Sequence, residues 1–213
     1  MYNKTHHIAS LYKPLQTHIC RLLEEADGEG KFQSAHWEKE LGSGITRVVQ
    51  NGRLIEKAGV NFSQVGGALT PALEKALEIH GGTYCATGIS SIIHPSHPWI
   101  PIIHMNVRYF ELDNGKSWFG GGIDLTPHYV IPADAHRFHR ELKMVCDKYT
   151  TKFYPEFKSR ADDYFFLPHR RETRGVGGIF FDRIDPEDYE LTMDQMIAFT
   201  EDLCRFYPKV YAR

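Results

Sequence analysis

The stretch Ile102-Ile103-His104-Met105-Asn106-Val107-Arg108-Tyr109-Phe110-Glu111 constrains this chain most. Side chains alternate across a β-strand, so a strand here sorts its residues onto two unlike faces. Ile103, Met105, Val107 and Tyr109 make one face, which needs an apolar core. His104, Asn106 and Arg108 share the other, spaced about 7 Å apart along the strand. An imidazole, a carboxamide and a guanidinium in a row are costly in a dry interior. The same row suits the floor of a pocket for a polar or anionic ligand, and Ile102 and Phe110 bracket it with apolar surface. A solvent-facing edge strand is the plainer alternative.

The chain is long enough to bury a substantial core, with 213 residues of which 42% are hydrophobic. Its formal net charge of −2 supplies no general basic field for nucleic acid, so local arginines must hold any anionic ligand. No apolar run reaches membrane-spanning length, and Met1 to His7 lacks the apolar segment of a signal peptide. Cys20, Cys85, Cys146 and Cys204 form no CxxC pair. That argues against zinc-ribbon and thioredoxin-type sites and for reduced thiols in a reducing compartment, so the expected location is cytoplasmic.

No repeat, low-complexity tract or linker divides residues 1–213, which read as a single domain. Ile8 to Glu25 has helical spacing and ends at Asp27-Gly28-Glu29-Gly30. Phe32 to Phe62 is strand-like, with Asn51-Gly52 as a hairpin signal between Ile45–Val49 and Arg53–Lys57. A helix from Pro71 to His80 precedes strands over Thr83–Ile93, Trp99–Leu112 and Trp118–Leu125, the first broken by His94-Pro95. Pro132 opens a helix whose apolar stripe is Phe138, Leu142, Val145 and Tyr149. A helix within Pro155–Phe166, a strand over Gly175–Phe181 and a helix over Thr192–Tyr207 complete the chain. Strands joined by tight turns favour an antiparallel sheet. With helices before and after, the expected class is α+β, a large antiparallel β-sheet sandwiched between helical layers.

Three glycines in Trp118-Phe119-Gly120-Gly121-Gly122-Ile123-Asp124-Leu125-Thr126-Pro127 mark a bulge or a ligand lying against the backbone. No helix follows them directly, so they are not a dinucleotide fingerprint. Asp124 is a lone acid between Ile123 and Leu125, either paired structurally or kept for proton transfer. Register decides its face. A two-residue turn at Asn114-Gly115 sets Asp124 opposite Met105, whereas a three-residue loop, Asp113 to Gly115, sets it opposite His104. A bulge at the glycines also switches faces, and all three arrangements are open at this point. Downstream, a basic cluster from His169 to Arg174 lies between the aromatic runs Tyr164-Phe165-Phe166 and Phe180-Phe181. Arg170 and Arg174 each suit a bidentate carboxylate contact, although the cluster alone reads equally as a charged surface loop. His94, His97, His104, His136, His139 and His169 invite a metal, but their spacing is not HExxH and no dense acid–histidine cluster supports one.

Taken together, these segments resemble the oxygen-dependent coproporphyrinogen III oxidase family. The resemblance rests on Gly44-Ile45-Thr46-Arg47-Val48, Glu56-Lys57-Ala58-Gly59-Val60-Asn61, Gly88-Ile89-Ser90-Ser91 and Ile93-His94-Pro95. His104 through Glu111, Trp118 through Pro127 and Tyr164 through Asp182 complete it. It implies oxidative decarboxylation of the ring A and B propionates of coproporphyrinogen III to vinyl groups, giving protoporphyrinogen IX in haem biosynthesis. Molecular oxygen is the implied co-substrate, carbon dioxide is released, and no organic cofactor is needed. By position in the motifs, Arg108, Arg170 and Arg174 match groups that bind propionate or stabilise charge in the reaction. Ser90 and Asn106 match substrate contacts, His104 a proton donor, and Asp124 the acid that engages the pyrrole nitrogens. Descriptions of the family differ over a divalent metal; those that include one use positions matching His94, His104, His139 and His169.

The chain departs from the family at Ser117, where a tryptophan is usual, at Arg171, where glycine is common, and at Arg183, which replaces a second acid. Family members also continue well past the position of Arg213, with further strands, another acid and contacts for a homodimer. The expectation is therefore a C-terminally truncated chain with an exposed sheet edge, poor stability and low or no activity. The competing readings are a non-catalytic tetrapyrrole-binding fragment and a histidine-metal hydrolase.

Overall fold

Strands adjacent in the chain are adjacent in space. The computed structural model describes residues 2–79 and 81–211. The first six strands are β1 (Gln33–Lys39), β2 (Gly42–Gln50), β3 (Ile55–Ala68), β4 (Thr83–Pro95), β5 (Ile102–Leu112) and β6 (Ser117–Thr126). They pair antiparallel in that order, and β9 (Gly178–Ile184) joins beside β6 to close a seven-stranded sheet. Helix α1 (Asn3–Asp27) precedes the sheet, and the short α2 (Pro71–Leu77) links β3 to β4. Between β6 and β9 come α3 (Pro132–Asp147), α4 (Phe153–Tyr164) and a small ribbon of β7 (Phe166–Leu167) and β8 (Glu172–Thr173). Helix α5 (Met193–Phe206) follows β9. This is the expected α+β fold on an antiparallel sheet.

The alternation in β5 sets the layers. Ile103, Met105, Val107 and Tyr109 are at most 2% exposed, and the ladder extends their face through Ile89, Phe62 and Ile45. Helices cover this face. Phe157 of α4 stacks on Phe181 of β9 at 5.0 Å, and Phe199 of α5 lies 5.6 Å from the same ring. Tyr12 of α1 donates to Thr200 of α5 at 2.8 Å. Burying each phenylalanine contributes about 1.5–3 kcal/mol, so the Phe153, Phe157, Phe181 and Phe199 cluster anchors the helical layer. The opposite face, carrying Ser90, His104, Asn106 and Arg108, is open among the described residues, so the sandwich is one-sided there.

Local signals fix the helix ends. Thr192 and Gln195 form a reciprocal capping box at the start of α5, with N–H to side-chain oxygen distances of 2.9 and 3.2 Å. Helix α1 stops at Gly28, whose φ of 84° is left-handed and whose N–H donates back to the Glu24 carbonyl. Strand β4 continues through His94-Pro95, where a break was expected. Pro95 sits at the strand end, beside a register irregularity in β3, so its missing N–H interrupts no central ladder.

Asp27, the last residue of α1, is 1% exposed. Its Oδ1 accepts from the N–H groups of Gly30 (2.6 Å), Arg53 (3.1 Å) and Glu29 (3.2 Å), and its Oδ2 from Leu54 and Ile55 (both 2.8 Å). Burial pushes this carboxyl up, but the backbone donors outweigh it and hold the pKa at about 2. The carboxylate thereby fastens α1 to the β2–β3 loop. Asn51-Gly52 is consequently not the two-residue turn of a tight hairpin, because β2 ends at Gln50 and β3 resumes at Ile55. Asn51 carries the left-handed φ of 57°, while a Cβ on Gly52 would lie 2.5 Å from Asp27 Oδ2. The glycine makes room for a carboxylate.

Candidate active site

The β5–β6 connection decides what faces the open side. Leu112 and Lys116 close the ladder through an N–H to carbonyl bond of 2.8 Å. Asp113, Asn114 and Gly115 form the loop, and Gly115 adopts φ 87°, the left-handed position of a three-residue hairpin. His104 therefore pairs with Asp124 across the ladder, which selects one of the three open registers. The bulge between Phe119 and Gly121 lies on the β9 side and does not move Asp124 off this face.

Asp124 is 3% exposed. Its Oδ2 accepts from Arg174 Nη2 at 2.8 Å and from the Thr126 hydroxyl at 3.3 Å, and lies 3.2 Å from His104 Nδ1. A carboxylate this buried needs such partners, because burial of an unpaired charge costs several kcal/mol. Arg174 arrives because Gly175, at φ 62°, turns the chain tightly against β6. A Cβ on Gly175 would lie 2.3 Å from the Leu125 carbonyl oxygen, and the next residue, Val176, donates its N–H to that oxygen at 3.0 Å. The Arg174 guanidinium rests on the Phe165 ring, 4.4 Å from its centroid.

Along the floor, Arg108 Nη1 donates to Asn106 Oδ1 and Nη2 to Asp182 Oδ1, both at 2.8 Å. Arg108, Asn106 and Ser90 line a cavity of about 500 Å³ with Tyr164, Phe165 and Phe180, the last stacked on Tyr164 at 4.0 Å. Gly121 answers to packing: its Cβ would lie 2.8 Å from the Phe181 ring. Thr126 and Asp182 were not foreseen as site residues. Thr126 was legible, two residues past Asp124 and thus on its face.

Several expected residues lie elsewhere. Arg170 stands at the exposed tip of the β7–β8 ribbon, paired with Glu172 at 2.6 Å and outside the cavity lining. Its guanidinium is therefore not part of the floor that Arg108 and Arg174 share. The four histidines proposed for a metal do not converge. His94 and His169 are exposed, and His104 alone of the four lines the cavity. His139 sits in the helical layer, where Nε2 donates to the Val176 carbonyl at 2.8 Å and Nδ1 accepts from Tyr154 at 3.0 Å. Both ring nitrogens are thus engaged, and burial lowers the pKa of this imidazole. Among the described residues, no group of three or more His, Cys, Asp or Glu is arranged to hold a metal ion, so the donors present do not fit one.

The open face of the sheet thus carries a buried acid bonded to a half-exposed guanidinium and a second arginine on an aromatic-edged floor. The sequence profile of the coproporphyrinogen III oxidase family matches residues 7–213, and the chain belongs to that family. The oxygen-dependent coproporphyrinogen-III oxidase of Drosophila melanogaster is 45% identical over 202 residues, covering 88% of this chain and 52% of its own length. The mitochondrial enzyme of that name from Rattus norvegicus is 49% identical over 189 residues, covering 82% and 43%. That of Coxiella burnetii (strain RSA 493 / Nine Mile phase I) is 42% identical over 195 residues, covering 88% and 63%. The chain therefore spans about half the length of the curated relatives it matches. Among the described residues no helix is long and apolar enough to cross a membrane.

Proposed function

We propose that this chain carries the substrate floor of an oxygen-dependent coproporphyrinogen III oxidase. On this reading it converts the ring A and B propionates of coproporphyrinogen III to vinyl groups, yielding protoporphyrinogen IX. The observation that carries the reading is Asp124, a buried carboxylate at the centre of an otherwise open floor, with a guanidinium and an imidazole on one oxygen. A reduced tetrapyrrole presents inward pyrrole N–H groups and peripheral carboxylates, which such a floor complements.

Asp124 accepts hydrogen bonds from the pyrrole N–H groups and takes up a proton as the electron-rich ring reacts with oxygen. Arg174 holds Asp124 in place and balances its charge, and His104 supplies or returns a proton at Nδ1. Arg108, steadied by Asn106, receives a propionate, and Ser90 borders the floor. Per propionate, the Cβ–H and Cα–CO₂⁻ bonds break and the vinyl C=C forms. Carbon dioxide leaves, and dioxygen with a proton takes the hydride equivalent to become hydrogen peroxide. The propionate side chain supplies both electrons through that hydride equivalent, so the scheme requires no organic cofactor. The working unit in this proposal is a cytoplasmic homodimer, and four buried free cysteines accord with a reducing setting.

The test is oxygen uptake together with carbon dioxide release by the 213-residue chain given anaerobically prepared coproporphyrinogen III. Both signals above the rate of spontaneous oxidation support the proposal. Binding without release assigns the chain the non-catalytic role, and absence of binding refutes the reading.

A further inference from the structure

Arg108, Gly120 and Asp182 lie in one line across β5, β6 and β9 on the open face. Arg108 pairs with Gly120 in the β5–β6 ladder. On the far side of Gly120, β9 carries a bulge: Gly121 pairs with Phe181 but Phe119 with Ile184, so Asp182 and Arg183 together oppose one glycine. Arg183 absorbs the bulge with a left-handed φ of 54° and donates to the Ala76 carbonyl of α2. Since Gly120 has no side chain, Arg108 reaches across it to Asp182 at 2.8 Å. A Cβ on Gly120 would fall 2.6 Å from Asp182 Oδ1 and 2.7 Å from Arg108 Nε.

The pair adds little to stability, since its side chains are 40% and 41% exposed and such ion pairs are worth about 0–1 kcal/mol. Its geometry bears on recognition. Asn106 takes one N–H of Nη1 and Asp182 one N–H of Nη2, which leaves one N–H on each terminal nitrogen. A guanidinium held from two sides is pre-organised to grip an incoming carboxylate bidentately.

We infer that Asp182 is a positioning residue for carboxylate recognition: it orients Arg108 for a propionate while adding an opposing charge of its own. The inference rests on the proposed function and deepens it. It predicts an order of affinities. Asp182→Ala frees Arg108 and weakens binding about tenfold. Asp182→Asn keeps an acceptor oxygen and removes the repelling charge, so it binds as well as the unaltered chain or better. Gly120→Ala pushes flexible side-chain ends apart and reproduces the loss seen with Asp182→Ala by an independent route.

The experiment is a fluorescence titration of the full chain and its variants with coproporphyrin III and with its tetramethyl ester. The predicted loss appears with the tetra-acid and vanishes with the ester, and unfolding midpoints stay unchanged. Without any ligand, the guanidinium NMR resonances of Arg108 are resolved by restricted rotation in the unaltered chain and averaged in Asp182→Ala. Tighter binding of the tetra-acid by Asp182→Ala would make Asp182 a competitor and overturn the inference. Equal losses for tetra-acid and ester would make its role merely structural. If the unaltered chain binds and Asp182→Ala binds equally, only this inference falls. If the unaltered chain binds neither ligand, the proposed function falls with it.

Discussion

Replacing Asp27 by asparagine tests how the first helix is joined to the sheet. The carboxylate accepts five backbone N–H groups, three on Oδ1 and two on Oδ2. An amide nitrogen in place of Oδ2 faces the N–H groups of Leu54 and Ile55 with a donor and leaves both unpaired. At about 1–3 kcal/mol for each unsatisfied buried donor, the cost is about 2–6 kcal/mol. The pKa fixes how that cost varies with pH. The folded value of about 2 lies below the ordinary 3.8, so the carboxylate's contribution is complete above pH 3.8 and fades as pH falls towards 2. The shift corresponds to about 2 kcal/mol. Urea unfolding of both proteins from neutral pH into acid is the assay. The stability gap should be widest near pH 7 and narrow by about 2 kcal/mol as pH falls through that window. A gap below about 0.5 kcal/mol, or one independent of pH, would refute the reasoning.

Phe157→Ala opens a void among Phe153, Phe181 and Phe199 and should cost about 3–5 kcal/mol in denaturant unfolding, whereas a cost under 1 would show that the helical layer is held otherwise. Asp124→Asn should retain tetrapyrrole binding but lose turnover by a factor on the order of 10² or more, measured as carbon dioxide release. Burial lowers the pKa of His139 below 6.5, so the unfolded chain binds the extra proton and stability falls as pH drops below about 6.5. His139→Gln should flatten that limb; an unchanged slope would contradict the assignment of His139 as a neutral, doubly bonded imidazole.

The periodicity of β5 was enough to foresee a sheet with one dry and one polar face, because alternation is a local property of the strand. The pairing of His104 with Asp124 was not decided locally. It hangs on whether Gly115 takes the left-handed position of a three-residue loop, a choice of turn that composition does not fix. Gly52 misled for a related reason. In sequence it completes a hairpin dipeptide, yet its size answers to a carboxylate from a distant helix end. Arg170 and Arg174 look alike in the basic cluster, but Gly175 folds only the second back onto β6. Asp182 stayed hidden because a bulge aims it, and bulges leave little trace in residue pattern.

The most direct measurement is the crystal structure of the chain saturated with coproporphyrin III. The account predicts the macrocycle lying flat on the open sheet face, with pyrrole nitrogens at hydrogen-bonding distance from Asp124 and a propionate on Arg108. A macrocycle seated anywhere else, or an empty floor at saturating ligand, would contradict it.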